Sequence, residues 1–222
     1  MEILTTETGW YFLARFGHFV FGITWVGMLF YFNLVQSEYF KVAEVGARTD
    51  VIVSLVPRAL WWFRWGAMGT FLTGLAMLGM IGGGLSYDIL VGALLGSIMF
   101  LNVWLVIWPA QRVVIASAQR VKAGGEPLPE ATGAAAKAAL VSRTNTLFSL
   151  PMLFFMGASA HYPLGGPLVD ASGPSLLATM ALIAALESNG LFGRAGPLAS
   201  VAGVVSGSIA LTAALWMLVG LL

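Results

Sequence analysis

Six apolar runs, each about as long as a membrane-crossing helix, occupy most of this chain and restrict the folds it can adopt. A helix needs about 20 mainly apolar residues to cross the roughly 30 Å hydrocarbon core of a bilayer. Hydrophobic residues make up 59% of the 222 residues and charged residues only 9%, against roughly 25% charge in soluble domains. The runs are residues 10–36, 59–82, 87–113, 139–161, 174–191 and 196–221. We predict an all-α integral membrane bundle of about six transmembrane helices, with residues 1–222 forming a single multi-pass domain.

The fifth run is shorter than the others and carries Glu187 near its end. A re-entrant or interfacial segment is therefore the alternative to a sixth membrane-crossing helix at residues 174–191. Within the third run, Pro109 predicts a kink, because proline removes a backbone hydrogen bond inside a helix.

Basic residues are concentrated in alternate loops, which predicts the orientation of the chain. Lysine and arginine in short loops favour the cytoplasmic side of a membrane. The loops after the first, third and fifth runs contain the basic residues Lys41, Arg48, Arg58, Arg112, Arg120, Lys122, Lys137 and Arg194. The opposite loops contain only the charged residues Asp88 and Asp170. We therefore expect both termini outside and the basic loops in the cytoplasm.

The chain has only two histidines, His18 and His161, and each lies in or at the end of an apolar run. An ionisable side chain inside a membrane is costly, so it indicates a functional site. The chain has no cysteine, which excludes covalently attached haem, zinc–thiolate sites and disulfides within it. The predicted topology puts both histidines in the outward half of the bundle. Redox or metal chemistry would therefore depend on this pair.

Haem b is the cofactor that these residues predict. Arg15, His18, Gly22 and Trp25 recur at spacings of three and four, so they share one face of the first helix. Haem iron is commonly held by an axial histidine, and a guanidinium matches the geometry of a haem propionate. We predict a cofactor site with His18 and His161 as ligands of the haem iron, Arg15 on a propionate, and Gly22 and Trp25 beside them.

Other interpretations of the histidines remain open at this point. His161 lies at a membrane boundary, where an unliganded imidazole can be hydrated, and His18 can hydrogen-bond to a neighbouring helix. The two residues also differ in predicted depth, so ligation by both requires a tilt or a bend at Pro151. Should His161 not be the second ligand, Met156 and Met28 are the next candidates.

A second group of polar residues is predicted toward the cytoplasmic side. Asn33, Asn102 and Asn145 each fall toward that end of their helices, with Arg143 and Glu187 at similar depth. Buried amides cost free energy unless they are hydrogen-bonded, so we expect these side chains to meet. Hydrogen bonding between helices is the favoured role of this inner cluster, and a quinone or substrate pocket is the alternative.

Four blocks of the sequence resemble a known family. In chain order they are RFGHFVFGITWVG at residues 15–27, WWFRW at 61–65, NVWLVIWPAQR at 102–112, and RTN, SLPMLF and HYP between 143 and 163. They are similar to the urate oxidase N-terminal domain, the multi-helix membrane anchor of bacterial membrane-bound urate hydroxylases. The resemblance covers residues 10–165, whereas 166–222 add helices that match no block. The first helix also resembles, more weakly, haem-dependent membrane oxidases of the protoporphyrinogen pathway.

The resemblance implies an oxidoreductase in the bacterial inner membrane that transfers electrons with a quinone or a cytochrome c as partner. Gly66, however, stands where the family has an acidic residue, and the family histidine near Arg143 has no counterpart here. The family's cytochrome c domain also requires cysteines, which this chain lacks. The resemblance therefore implies the fold more firmly than it implies urate chemistry.

Two further functions remain open from the sequence. The first is a non-catalytic subunit or anchor within a larger membrane complex, in which His18 is structural. The second is a transporter with Glu187 as the coupling acid, although no inverted repeat points to a midplane site. The lipid bilayer is the predicted surrounding in every case, and we expect no nucleic-acid partner.

Overall fold

The computed structural model describes residues 2–221, and the chain is helical over nearly all of them. The α-helices in chain order are α1 (Glu7–Phe30), α2 (Ser37–Val42), α3 (Val45–Asp50), α4 (Val56–Ile81), α5 (Tyr87–Leu101), α6 (Trp108–Lys122), α7 (Ala131–His161), α8 (Gly173–Phe192) and α9 (Val201–Leu221). Between residues 2 and 221 the only β-type pairing is an isolated bridge from Ser86 to Pro167. The predicted all-α class is confirmed.

Three π-helical segments join shorter helices into long continuous ones. Tyr31–Gln36 links α1 to α2, Val51–Leu55 links α3 to α4, and Asn102–Ile107 links α5 to α6. Each of the six predicted apolar runs lies largely within one continuous helical stretch.

Four helical stretches are long and apolar enough to cross a membrane: Glu7–Val42, Tyr87–Lys122, Gly173–Phe192 and Val201–Gly220. The predicted fifth run is among them, at Gly173–Phe192. The stretches that contain α4 and α7 are not among these four, because glycine, threonine and arginine make them less apolar. A membrane protein with several apolar helices is therefore supported.

Proline accounts for two of the π segments. Pro109 comes two residues after the segment Asn102–Ile107, and Pro57 comes two residues after Val51–Leu55. A proline ring clashes with the carbonyl four residues earlier and donates no hydrogen bond. The preceding turn therefore widens, and the amide of Trp108 bonds to the carbonyl of Val103 five residues back. At the position of the predicted kink the structure has this π segment.

The helices alternate in direction. His18 meets Thr73, and Trp25 lies beside Gly66, so α1 and α4 run antiparallel. A Cβ added at Gly66 would lie only 3.0 Å from the backbone nitrogen of Trp25, which shows how closely these two helices approach.

Contacts at both ends of α5 fix its direction relative to α7. Ser86 bonds to Ser159 at the start of α5, and Asn102 bonds to Asn145 where α5 ends. These two helices are therefore antiparallel. The start of α1, the end of α4, the start of α5 and the end of α7 consequently lie at one end of the bundle. The basic loops lie at the other end.

The centre of the bundle is α7. It packs against α5, α6, α8 and α9, and residues 143–149 are buried throughout. Gly190 allows α8 to approach, because a Cβ there would lie 2.6 Å from the hydroxyl oxygen of Thr144. The N-terminal part of α1 instead packs mainly on α4 and leaves a face of large apolar side chains exposed.

Candidate functional site

His18 lies half-buried in the interface between α1 and α4. Its Nδ1 is 3.2 Å from the hydroxyl oxygen of Thr73. Gly74 lies against the same ring, and a Cβ there would come within 3.2 Å of Cε1 of His18. The imidazole is therefore held on one edge by a hydroxyl and on one side by a residue that has no side chain.

The hydrogen bonds of Thr73 determine the tautomer of His18. A threonine hydroxyl has a single proton to donate. That proton points to the backbone, since the Thr73 oxygen lies 2.6 Å from the carbonyl of Gly69 and 3.1 Å from that of Thr70. Thr73 can then only accept from His18, so Nδ1 carries the proton. The lone pair of His18 consequently lies on Nε2, the nitrogen that makes no hydrogen bond.

The other predicted cofactor residues on α1 are positioned differently from one another. Trp25 is buried against α4, and Gly22 faces the side chain of Thr70, which also lies on α4. Arg15 is exposed, donates to the hydroxyl of Tyr11 at 3.0 Å, and lies over that ring. The guanidinium is thus held by its own helix, near the end of the bundle where α7 finishes.

His161 is the last residue of α7 and is exposed. Among residues 2–221 no hydrogen bond involves its side chain, and none joins it to His18. Both histidines lie toward the same end of the bundle. Thr73, the partner of His18, is eight residues before the end of α4, so His18 lies about 12 Å below that end.

Of the two histidines, His18 has the hydrogen-bonding arrangement that a metal ligand would use. A metal-bound histidine almost always donates its second ring nitrogen to an oxygen acceptor, which is the arrangement of His18 and Thr73. The contacts of His161 do not bring it to the same place. Within the described part of the chain, no group of three His, Cys, Asp or Glu side chains is arranged to hold a metal ion.

The inner cluster contains a buried amide pair. Nδ2 of Asn102 lies 2.9 Å from Oδ1 of Asn145 and 3.1 Å from a carboxylate oxygen of Glu187. Nδ2 of Asn145 donates to the carbonyl of Met99 at 2.9 Å. These bonds join α5, α7 and α8 where the π segment Asn102–Ile107 begins.

Asn33 and Arg143 belong to a separate network. Asn33 donates to the hydroxyl of Ser142 at 2.8 Å and to the carbonyl of Leu29 at 2.9 Å. Arg143 donates to the carbonyl of Leu198 at 2.7 Å and lies 3.4 Å from the hydroxyl of Ser37. The five polar residues of the inner cluster thus form two separate groups, each bonded to α7, instead of the single group that was predicted.

The two asparagines in π segments have matching roles. Asn33 lies in Tyr31–Gln36, and Asn102 begins Asn102–Ile107. Each hydrogen-bonds to a side chain of α7, Ser142 or Asn145. Near each segment an asparagine amide also donates to a backbone carbonyl, that of Leu29 or Met99. Buried amides therefore replace regular helix bonding where the helices widen.

Sequence reasoning missed Asp88, which is fully buried at the start of α5. One carboxylate oxygen accepts the backbone amides of Leu164 and Gly165, each at 3.1 Å. Asp88 thereby ties the loop after α7 to α5. The sequence signal was the helix start at Ser86, which caps α5, but it did not distinguish a buried acid from an exposed one.

At the opposite, basic end a surface ion pair joins α3 to α6. The ammonium of Lys122 lies 2.7 Å from the carboxylate of Asp50. Its hydrogen bond and charge hold the pKa of that carboxyl below its ordinary value. Both side chains are well exposed, so the pair contributes little to stability.

A family model supports the resemblance seen in the sequence. The model described as urate oxidase N-terminal matches residues 83–189, slightly less than half of the chain. The matched range contains the third and fourth sequence blocks and the whole Asn102–Asn145–Glu187 group. His18 and Thr73 lie outside it. Neither a curated protein nor a solved structure matches the chain. Residues 83–189 are thus similar to the family that the sequence blocks indicated.

Proposed function

We propose that the chain is a membrane redox protein of the urate oxidase N-terminal type that binds haem b with His18 as an axial ligand. The observation that carries the proposal is the hydrogen bond between His18 and Thr73. It gives Nε2 a free lone pair and fixes the orientation of the ring, as a metal ligand requires. When bound, haem b would supply one-electron transfer.

The residues around His18 have positioning roles in this proposal. Thr73 holds the imidazole in one tautomer, and Gly74 leaves room beside its ring. Gly22 and Trp25 keep α1 close to α4, so that the histidine cannot turn away. Burial of the site and the Thr73 hydrogen bond are the features with which the protein would tune the iron.

His161 is the proposed second ligand, and Arg15 the proposed partner of a propionate. The support for both is that they lie toward the same end of the bundle as His18. His161 has no competing hydrogen bond, so its imidazole is free to bind iron. Since His161 is at the end of α7, ligation by both histidines would require its helix end to move toward α1.

We propose an orientation with the basic loops in the cytoplasm and six membrane-crossing helices in a bacterial inner membrane. The support is the asymmetry of charge between the two ends of the bundle. Electrons would then be exchanged with a quinone in the bilayer or with a cytochrome c on the outer side, nearer to His18.

The inner cluster is proposed to stabilise contacts between helices. Asn102 donates to both Asn145 and Glu187, and Asn145 donates to the carbonyl of Met99, so these groups already have partners within the protein. A quinone or substrate pocket has less support there, because Asn102 already bonds to side chains of α7 and α8.

A second candidate function is a non-catalytic subunit of a larger membrane complex. It is favoured by the exposed face of α1, where Phe12, Phe16, Phe19 and Ile23 are between 55% and 74% exposed. This face could contact a partner helix as well as lipid. In that case His18 would only hydrogen-bond α1 to α4.

A spectrum of the purified protein separates these candidates. After expression with excess haem precursor, the redox function predicts a Soret band and a sharp α-band on reduction. The subunit function predicts no haem and a stoichiometric partner that co-purifies. A haem-free chain that purifies without a partner would exclude both.

A further inference from the structure

Arg64 on α4 is stacked on tryptophan and has no acceptor for its buried N–H groups. Its guanidinium carbon lies 3.3 Å from the ring centroid of Trp108 and 5.9 Å from that of Trp104. Nε and Nη1 of Arg64 are buried and make no hydrogen bond. The indole nitrogen of Trp104 is also buried without a partner. Three nitrogen donors without an acceptor thus belong to this stacked guanidinium and its neighbouring tryptophan.

Within the described residues 2–221, no acidic side chain forms an ion pair with Arg64. Within residues 2–221 the ion pairs are Lys41–Glu38 and Lys122–Asp50, both well away from it in the chain. Buried N–H groups without an acceptor are costly, and a guanidinium presents its donors in a fork that suits an oxyanion. An acceptor with negative charge would therefore stabilise this arrangement.

The surroundings of Arg64 mark the level of the lipid headgroups. Trp61, Trp62 and Trp65 are 48%, 59% and 46% exposed on the same helix. Exposed tryptophans of a membrane protein collect at the interface between hydrocarbon and water. The exposed Arg58 lies six residues earlier on this helix, toward the basic loop. At this level the oxyanion present at highest density is the phosphate of a phospholipid.

We propose that Arg64, Trp104 and Trp108 form a binding site for a phosphate oxyanion, supplied by the headgroup of a phospholipid. The guanidinium donates to the phosphate oxygens, and the indole N–H of Trp104 adds a further donor. Trp108 holds the guanidinium in place by stacking. The headgroup approaches through the exposed part of the Arg64 side chain, since the residue is only partly buried. The site is independent of haem binding at His18.

The test measures lipid binding to delipidated protein in a non-ionic detergent. Dioctanoyl phosphatidylglycerol is titrated by calorimetry and by native mass spectrometry into wild type, Arg64→Gln and Trp104→Phe. Arg58→Gln and Arg112→Gln are the matched controls, since each removes one exposed arginine near the same interface. Sodium phosphate alone is titrated as the second ligand.

We expect the lipid to bind wild type about tenfold or more tightly than Arg64→Gln, because charge-assisted bonds are lost. Trp104→Phe keeps the ring and loses one donor, so its affinity should fall about threefold or more. The controls should remain within about twofold of wild type, as expected for exposed charges. Equal affinity for wild type and both site variants would overturn the site. Phosphate alone binding as tightly as the lipid would overturn the headgroup as its source.

Discussion

The hydroxyl of Thr73, 3.2 Å from Nδ1 of His18, determines which nitrogen of that imidazole is free. Because the Thr73 hydroxyl donates its own proton to a backbone carbonyl of α4, His18 must donate to Thr73. The two residues are 55 positions apart in the chain, and they meet only because α1 and α4 pack closely. The proposal of a haem ligand at His18 depends on this bond.

Removal of the Thr73 hydroxyl should weaken haem retention. Loss of such a supporting hydrogen bond typically lowers metal affinity by about 10- to 100-fold. We expect Thr73→Val to lose haem to apomyoglobin faster than wild type by a factor in that range. Thr73→Ser keeps the hydroxyl and is the control. Equal rates for the valine and serine variants would contradict a role for this bond in haem binding.

The amide of Asn145 should contribute measurably to stability. It bonds to Asn102 and to the carbonyl of Met99, and both would lose a buried partner in Asn145→Ala. Interhelical hydrogen bonds in membranes contribute about 0.6 kcal/mol on average and up to about 1.7. For two bonds we expect the free energy of unfolding in mixed micelles to fall by about 1–3 kcal/mol.

The control for that measurement is Gln119→Ala on α6, where the side chain is exposed and unbonded. It should change the unfolding free energy by less than about 0.5 kcal/mol. If Asn145→Ala were no less stable than Gln119→Ala, the inner cluster would not stabilise the bundle.

The carboxylate of Asp88 should hold the loop after α7 against the start of α5. In Asp88→Ala the amides of Leu164 and Gly165 lose their acceptor. We expect faster hydrogen–deuterium exchange in peptides spanning residues 162–172, with little change in α8. Asp170→Ala, an exposed acid of the same loop, is the control and should exchange like wild type. Similar protection in the two variants would mean that other contacts hold the loop.

The orientation can be tested with single cysteines, since the chain has none. Glu126 precedes α7 and the 88% exposed Val169 follows it, so they report on opposite ends of that helix. Gly165 would be a poor position, because a Cβ there would lie 2.7 Å from the side chain of Val219. We expect an impermeant thiol reagent to label Val169→Cys and not Glu126→Cys in intact cells. Labelling of Glu126→Cys and not of Val169→Cys would show that the orientation is the opposite of the one proposed.

The length and spacing of the apolar runs made the helices predictable from the sequence. The family resemblance was predictable too, because its blocks are rich in tryptophan, proline and asparagine. The π segments could not be predicted from the sequence, although Pro109 indicated a kink near one of them. The stacking of Arg64 on Trp108 could not be predicted from the sequence either. The two residues lie on different helices, so no linear pattern of the sequence links them.

The partner of His18 also escaped the sequence reasoning, for a physical reason. Thr73 is one of several small polar residues in an apolar run, and such residues usually bond to their own helix. Only the register of α1 against α4 decides that its oxygen meets an imidazole. The separation of Asn33 from Asn102 likewise depends on the angular positions of their helices around α7, which no linear pattern encodes.

The most direct test of the account is the haem content of purified wild type and His18→Ala, measured side by side as the pyridine haemochrome. His161→Ala, purified in parallel, shows whether the loss is specific to the histidine on α1. We expect about one haem b per chain in wild type and essentially none in His18→Ala, because His18 is the proposed ligand of the haem iron. In His161→Ala haem should be retained with an altered spectrum. Equal haem content and an unchanged spectrum in His18→Ala would contradict the assignment of His18 as a ligand.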